Sequence, residues 1–239
     1  MLNDWSRLAA ELTASLHLTS PPLAISFGAR PPDGVHAFDE PMAPPAPDGR
    51  TGRVSAGCVF WIKAAAQTLT TVAEDHANCS VGSYTHGFIT LEEAATRSDV
   101  ATLLDTGWVT MDMVPGIPAV SEAPGAVTYG PLADTPVDPD VVFLRVNAKQ
   151  LMVLSDAVPD LVVEGKPQCH IIPMAKESNR VAASVGCALS RARTGMEATE
   201  MTCAIPAGRL PSVVDSIKRN AVADAAVSAY AALDARRFS

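Results

Sequence analysis

The chain has 239 residues, 48% of them hydrophobic and 18% charged, so it can bury a core and is not an intrinsically disordered protein. Its formal net charge is -8, and its lysines and arginines form no run, which argues against a nucleic-acid partner and an anionic membrane surface. The apolar runs are too short to cross a membrane, and the first residues are amphipathic rather than typical of a signal sequence. We therefore expect a cytoplasmic protein.

The beginning of the chain predicts a helix, a strand and a long loop. Apolar side chains recur at helical spacing from Trp5 to Leu16, and the run "PPLAISF" over residues 21–27 predicts the first strand. Residues 29–53 contain many prolines and no apolar periodicity. They predict a long exposed loop, either a plain linker or a lid or binding segment.

Two helices with a loop between them are predicted next. The first helix begins at Val59 and reaches the segment "HANCSVGSYTHG", residues 76–87, whose small and polar residues predict a loop. The second helix covers residues 89–107, with Thr90 as its candidate N-cap and Gly107 as its end.

The second half of the chain alternates strands and helices. The sequence predicts strands over 125–132, 137–146 and 202–206, helices over 147–158 and from 210 onward, and loops and turns from Cys169. Helices and strands are thus mixed throughout the chain. This order predicts an α/β (α+β mixed) fold, a mixed sheet with flanking helices, in a single domain over residues 1–239.

Four of the five cysteines form two similarly spaced pairs. Twenty residues separate Cys58 from Cys79, and seventeen separate Cys169 from Cys187. Without an export signal these thiols are expected to be reduced, so each is either a small buried side chain or a ligand. The fifth, Cys203, lies in an apolar strand and is expected to belong to the core.

The two pairs suggest a duplicated design. Two similar halves, about residues 1–130 and 131–239, would each contribute two thiols to one shared site. The spacings of zinc knuckles and ferredoxins are absent, so such a site would be assembled from distant loops.

The segments "GCVFWIKAAAQTL", "NCSVGSYTHG" and "QCHIIPMAKESNRVAASVGCALSRARTGMEATEMTCAIP" resemble the bacterial and archaeal family known as domain of unknown function 169. The resemblance covers about residues 21–210. The matching positions are Cys58, Cys79 with Gly82, Cys169, Gly186 with Cys187, Arg191, Glu200, and Ile205 with Pro206. The resemblance implies that the four cysteines belong together, and that an iron-sulfur cluster is the cofactor to expect.

A 4Fe-4S cluster held by four thiolates passes electrons or holds structure, whereas one held by three thiolates leaves an iron open as a Lewis acid. The chain is large for an electron carrier. We therefore expect an enzyme that acts on a small anionic molecule, of the lyase or hydratase, desulfurase or reductive type.

Three candidate proton donors or acceptors flank Cys79. They are His76, Tyr84 and His86, and His170 adjoins Cys169 in the same way. The alternative for each histidine is a loop residue satisfied by local hydrogen bonds.

Two arginines follow Cys187. Arg191 or Arg193 could hold a carboxylate or phosphate in a bidentate fork. The alternative is an ion pair with Glu197 or Glu200.

Two other functions stay open. Four thiolates could bind zinc, or a closed cluster, as a structural staple in a non-catalytic protein. Alternatively, Cys79 could be a nucleophile in a metal-free enzyme, with His76 or His86 as its base. The alanine-rich C-terminal helix could pack inward or pair with a copy of itself, so a homodimer is possible.

Overall fold

The structure is a computed structural model that describes residues 4–54, 56–164 and 167–235. Within these residues the chain forms one seven-stranded mixed sheet with helices on both faces, which confirms the mixed α/β prediction. The strands are β1 Leu23–Gly28, β2 Leu69–Thr71, β3 Ala126–Pro131, β4 Val141–Val146, β5 Val162–Glu164, β6 Ala182–Ser184 and β7 Met201–Pro206. They lie in the order β2-β3-β1-β4-β7-β6-β5, and only β5 and β6 pair in parallel.

The helices connect these strands and cover the sheet. They are α1 Trp5–Leu16, α2 Cys58–Lys63, α3 Ser80–Thr85, α4 Leu91–Ala95, α5 Ser98–Asp105, α6 Ala148–Ala157, α7 Ile171–Ser178, α8 Ala188–Arg193 and α9 Leu210–Ala235. None of them, over the residues described, is both long and apolar enough to span a membrane.

Side chains of alternate strand residues build a separate core on each face of the sheet, because successive side chains of a strand point to opposite faces. One core packs Val142 and Leu144 against the apolar stripes of α1, α6 and α9. The other packs Tyr129 and Phe143 against α2, α7 and the short helices of the first half. This second face, rich in aromatic side chains, carries the candidate site.

Several predicted elements have different boundaries in the structure. The helix predicted from Val59 ends at Lys63, because residues 69–71 pair with β3 as an edge strand. The predicted loop over residues 76–87 contains α3, and the helix predicted over 89–107 is two helices, α4 and α5.

The segment after Cys169, predicted as loops and turns, contains α7, β6 and α8. These elements are short, and tertiary pairing rather than local propensity decides them.

The loop over residues 29–53 is irregular, as predicted, but it is anchored. Phe38 is buried and its N–H donates to the carbonyl of Thr70 at 2.7 Å. Arg50 donates to the hydroxyl of Ser80 and to Asp99, both at 3.0 Å, so the loop is fastened to α3 and α5.

The two halves of the sheet repeat one arrangement. The order β1-β3-β2 in the first half matches β4-β7-β6 in the second, and the halves meet where β1 pairs with β4. Both β3 and β7 end in a proline, and each is followed by a 3-10 turn. Common ancestry of the halves stays a prediction, but their topology places equivalent segments on one face of the sheet.

Candidate functional site

Each of the four paired cysteines lies at the beginning of a helix. Cys58 is the first residue of α2, Cys79 and Cys187 are the N-caps of α3 and α8, and Cys169 lies in the 3-10 turn that leads into α7. In both halves a helix begins at or just after the first cysteine, a three-residue strand follows later, and a six-residue helix begins directly after the second cysteine. The same order of local elements therefore positions the cysteines of both pairs.

The second cysteine of each pair shares a further pattern. A glycine with positive φ lies eight residues after it, Gly87 after Cys79 and Gly195 after Cys187, with φ of 80° and 72°. These glycines end the two six-residue helices, because a left-handed residue after a helix suits glycine best.

The four thiols converge on one place. Burial, and then the nearness of Cys79 and Cys187, raise the pKa of Cys58 to about 12. Burial, and then Cys79, Cys58 and Cys187, raise the pKa of Cys169 well above its ordinary value. Burial also raises the pKa of Cys79, with smaller contributions from Asp99 and Cys187. Every pair among the four thus lies within electrostatic reach.

Cys203 has no part in this convergence. It lies in the core on the opposite face of the sheet, where burial alone raises its pKa to about 12. All five cysteines are free thiols. The prediction that Cys203 belongs to the core is confirmed.

Hydrogen-bond donors surround the sulfur atoms. Gln168 donates from Nε2 to Cys58 Sγ at 3.2 Å, and Ser190 also hydrogen-bonds this thiol. The backbone N–H groups of Gly82 and Gly57 bond the Cys79 thiol, and a Cβ added at Gly82 would lie 3.1 Å from its sulfur. Donors aimed at sulfur favour the thiolate over the thiol.

The thiols do not form a binding site for a single metal ion in the part of the chain that the structure describes. Over the described ranges, no group of three or more His, Cys, Asp or Glu side chains is arranged to hold a metal ion. The thiols influence one another electrostatically without forming such a group.

Three buried aromatic side chains lie together on the same face. The ring centroids of His76 and His86 are 5.3 Å apart, and Tyr129 lies 6.5 Å from the first and 6.4 Å from the second. Tyr129 adjoins the thiols, since Cys58 and Cys169 raise its pKa further after burial has raised it well above the ordinary value.

A hydrogen bond fixes the proton of one of the two imidazoles. His86 Nδ1 donates to the carbonyl of Gly82 at 2.8 Å, so Nε2 is an acceptor. His76 Nε2 lies 2.9 Å from the Thr71 hydroxyl, which can donate to the ring or accept from it, and His76 Nδ1 has no partner. Burial lowers the pKa of His86 to about 4 and that of His76 well below its ordinary value. Both rings are neutral near pH 7.

Buried polar atoms without a hydrogen-bond partner are concentrated in this region. They include His76 Nδ1, His86 Nε2, Tyr129 Oη, Trp61 Nε1, Gln168 Oε1 and His170 Nε2. An unpartnered buried polar atom costs about 1–3 kcal/mol, so native proteins keep few of them. Their grouping on the face of the four thiols makes this region the candidate functional site.

Tyr84 and His170 occupy different surroundings. The Tyr84 hydroxyl donates to the carbonyl of Ile117 at 3.1 Å, and its ring lines an apolar cavity between α3, α4 and α5. His170 is buried next to Cys169, and burial lowers its pKa to about 4. The tyrosine that the structure brings beside the thiols is Tyr129, on β3.

Arg191 braces the Cys187 segment. Its guanidinium donates to the carbonyls of Val185 and Glu200, each at 2.8 Å, and to the carbonyl of Glu197. The predicted alternative of a carboxylate partner is wrong for Glu200, because that carboxylate pairs with Arg145. Arg191 thus ties the backbone just before Cys187 to the backbone that follows α8.

Arg193 joins the two halves of the site. Its Nη1 and Nη2 atoms lie 3.5 and 3.4 Å from the carbonyl of Asn78, next to Cys79. The helix that begins at Cys187 is thereby tied to the loop that carries Cys79.

Sequence reasoning missed Tyr129, Gln168 and Ser190. Tyr129 sits in an apolar strand, where a tyrosine ordinarily belongs to the core. The other two had a signal, since Gln168 precedes one cysteine and Ser190 follows another by three residues.

Comparisons with known proteins identify a family. The model of the DUF169 family, described as "Uncharacterised ArCR", matches residues 11–216. No curated protein and no solved structure matches the chain.

Proposed function

This chain belongs to the DUF169 family, as its cysteine pattern predicts, and from its own site we propose that it is a 4Fe-4S enzyme acting on a small anionic molecule. The observation that carries the proposal is the convergence of four free thiols from two halves of the chain. Thiolates are the usual ligands of such clusters.

The residues present fit a cluster. A single zinc ion with Zn–S bonds of about 2.3 Å draws its four sulfurs into near contact, whereas a cluster is several atoms wide and keeps its ligands apart. The four thiols here lie within electrostatic reach of one another, as the ligands of one cluster would. Donors such as Gln168 and the N–H of Gly82 suit sulfur that carries negative charge.

We assign three of the irons to Cys79, Cys169 and Cys187, which are all buried, and place the fourth iron, without a protein ligand, next to the partly buried Cys58. A cluster with one iron free of protein ligands supplies a Lewis acid that polarises an oxygen, nitrogen or sulfur atom of a substrate. Cys58 lines a narrow cleft, so a small molecule would approach from this side.

Tyr129, His76 and His86 supply the proton chemistry in this proposal. Tyr129 keeps its proton because its pKa is raised, so it serves as a donor. The two imidazoles stay neutral. His86 presents Nε2 as an acceptor, and His76 Nδ1 is a second ring nitrogen without a partner. Burial excludes bulk water from all three, which strengthens their interactions with a bound ligand. Tyr84 and Arg191, predicted with them, support the site from outside.

The test is anaerobic purification with iron and sulfide quantitation. We expect a brown protein with about four iron and four sulfide per chain. Cys79→Ala, Cys169→Ala and Cys187→Ala should lose most of both, whereas Cys58→Ala should keep its iron. Cys203→Ala is the matched control, because its thiol lies on the other face.

Other outcomes separate the alternatives. A colourless protein that binds zinc through the same cysteines would refute the proposal in favour of a structural staple. A protein without metal, in which one thiol is selectively alkylated at neutral pH, would support the cysteine nucleophile instead. Burial raises the pKa of Cys79, which weighs against that mechanism.

The chain is proposed to work in the cytoplasm, where thiols stay reduced, and as a homodimer. The outer part of α9 exposes Val222, Val227, Tyr230 and Leu233, and the family match ends at residue 216, before this part begins. Sedimentation of the full chain against Tyr230→Glu tests the pairing, and a wild-type monomer would contradict it.

A further inference from the structure

Two cavities meet at the ion pair between Arg145 and Glu200. Arg145 donates from Nε and Nη2 to the two carboxylate oxygens of Glu200, at 2.8 and 2.7 Å. The outer cavity has a volume of about 340 Å³, and the inner one is the narrow cleft that reaches Cys58. Both residues line both cavities, so the ion pair is the wall that separates them.

The fold places this wall at one end of the sheet. Arg145 lies on β4 and projects to the same face as Phe143, which is the face of the thiols. Glu200 directly precedes β7, the neighbouring strand, and Ser190 and Gln168 complete the inner cleft around Cys58. The ion pair therefore separates a ligand in the outer cavity from Cys58 and from the open iron of the proposed cluster.

The outer cavity has the chemistry of a site for a small polar anion. Its volume lies within the ordinary range for small-molecule sites. Hydroxyl groups of Thr19, Ser20 and Thr199 line it, and the Ser20 hydroxyl oxygen is buried without a partner.

Arg145 can bind a second carboxylate without releasing the first. A guanidinium has two edges that fit a carboxylate, and Glu200 occupies the edge formed by Nε and Nη2. The edge formed by Nη1 and Nη2 is left for a ligand. Glu197 also lines the cavity, so one arginine faces two glutamates, which disfavours a dianion such as phosphate.

We propose that the outer cavity binds a small hydroxylated monocarboxylate on the second edge of Arg145, and that the Arg145–Glu200 pair gates its passage to Cys58. This inference rests on the proposed function, because it names the substrate class and the route to that site. The ligand first binds the second edge beside Glu200. When its carboxylate then takes the place of Glu200 on Arg145, the wall opens, and Glu200 closes it again when the ligand leaves.

The charge selectivity of alkylation at Cys58 tests the gate without any cofactor. Metal-free, full-length protein is treated with iodoacetate or with its neutral counterpart iodoacetamide, and the rates at Cys58 are compared by peptide mass spectrometry. Arg145→Met should lower the iodoacetate-to-iodoacetamide ratio about tenfold, the effect of one charge-assisted contact. Glu200→Gln should raise the ratio, because it leaves Arg145 to the reagent.

The control is Arg209→Met. Arg209 forms a bidentate pair with Asp160, both contacts at 2.8 Å, and lines neither cavity. Its loss should leave the ratio unchanged. As a second readout, lactate should protect Cys58 from iodoacetamide in the wild type but not in Arg145→Met, and phosphate should protect it in neither.

Equal iodoacetate-to-iodoacetamide ratios in the wild type and in Glu200→Gln would refute the gate. The result for Glu200→Gln is sufficient by itself if Arg145→Met does not fold. Protection by phosphate as strong as by lactate would overturn the monocarboxylate class. The alkylation test is carried out without metal, so its result does not depend on the cluster. If Cys58 reacts with the expected charge selectivity but the chain never acquires iron and sulfide, the proposed function is refuted and the assignment of the cavity stands.

Discussion

Replacing Tyr129 with phenylalanine should stabilise the metal-free protein. The hydroxyl is fully buried and makes no hydrogen bond of ordinary geometry. Burial raises the pKa of Tyr129, and the Thr71 hydroxyl lies near enough to offset this rise slightly, but that hydroxyl is engaged with His76 and Val127. Such an unpartnered group costs about 1–3 kcal/mol, and Tyr129→Phe removes that cost while it keeps the ring stacked 5.9 Å from Phe60.

The lost contacts of the oxygen atom offset part of this gain. We expect a net increase of about 1 kcal/mol in the free energy of unfolding, or about 2–4 °C in Tm for a chain of this size. The matched control is Tyr84→Phe. It removes a hydroxyl that donates a hydrogen bond to the carbonyl of Ile117. It should lower the free energy of unfolding by about 1 kcal/mol.

Thermal unfolding of both variants without metal is the assay. The two variants should shift Tm in opposite directions. If Tyr129→Phe lowers Tm as much as Tyr84→Phe does, the Tyr129 hydroxyl has a partner in the folded chain, and the assignment of this atom to a ligand is refuted.

Two further predictions concern the same face of the sheet. Burial holds the pKa of His86 at about 4 against an ordinary 6.5, so the unfolded chain takes up its proton first as the pH falls. Protonation of His86 therefore leaves the free energy of unfolding unchanged above pH 6.5 and lowers it by about 3 kcal/mol in all as the pH falls from 6.5 to 4. Denaturant titration from pH 7 to pH 4 should show a smaller loss for His86→Asn, and an equal loss would contradict the burial argument. Gly186 has a φ of 115°, and a Cβ there would lie 2.6 Å from Arg191 Nη2, so Gly186→Ala should lower the free energy of unfolding by at least about 1–2 kcal/mol. Gly208→Ala, with open space at its Cβ, is the control, and equal unfolding midpoints for the two variants would refute this reasoning.

The two halves of the site differ in chemistry although their topology is the same. Seven residues after the second cysteine, the first half carries His86 and the second half carries Thr194. The strand position of Tyr129 corresponds to Ala204, since both are the fourth residue of six-residue strands. In the proposed function, the first half thus supplies the side chains that carry protons, whereas the second half supplies Ser190 and the two arginines that bond the backbone near the thiols.

The sequence by itself determined the fold class, the family and the identity of the four thiols. Periodicity located α1, β3 and β4, because long apolar patterns reflect burial on one face. The spacing of the cysteines indicated a shared site, and the apolar neighbours of Cys203 assigned it to the core.

Only the tertiary structure decided which other residues join the thiols. Strand β2 is three residues long and exists because β3 pairs with it, so its segment looks helical on local propensity alone. Tyr129 and Arg145 come from strands far from any cysteine in the chain, and their role follows from the sheet face on which alternation places them. Local patterns cannot reveal such contacts, because long-range strand pairing creates them.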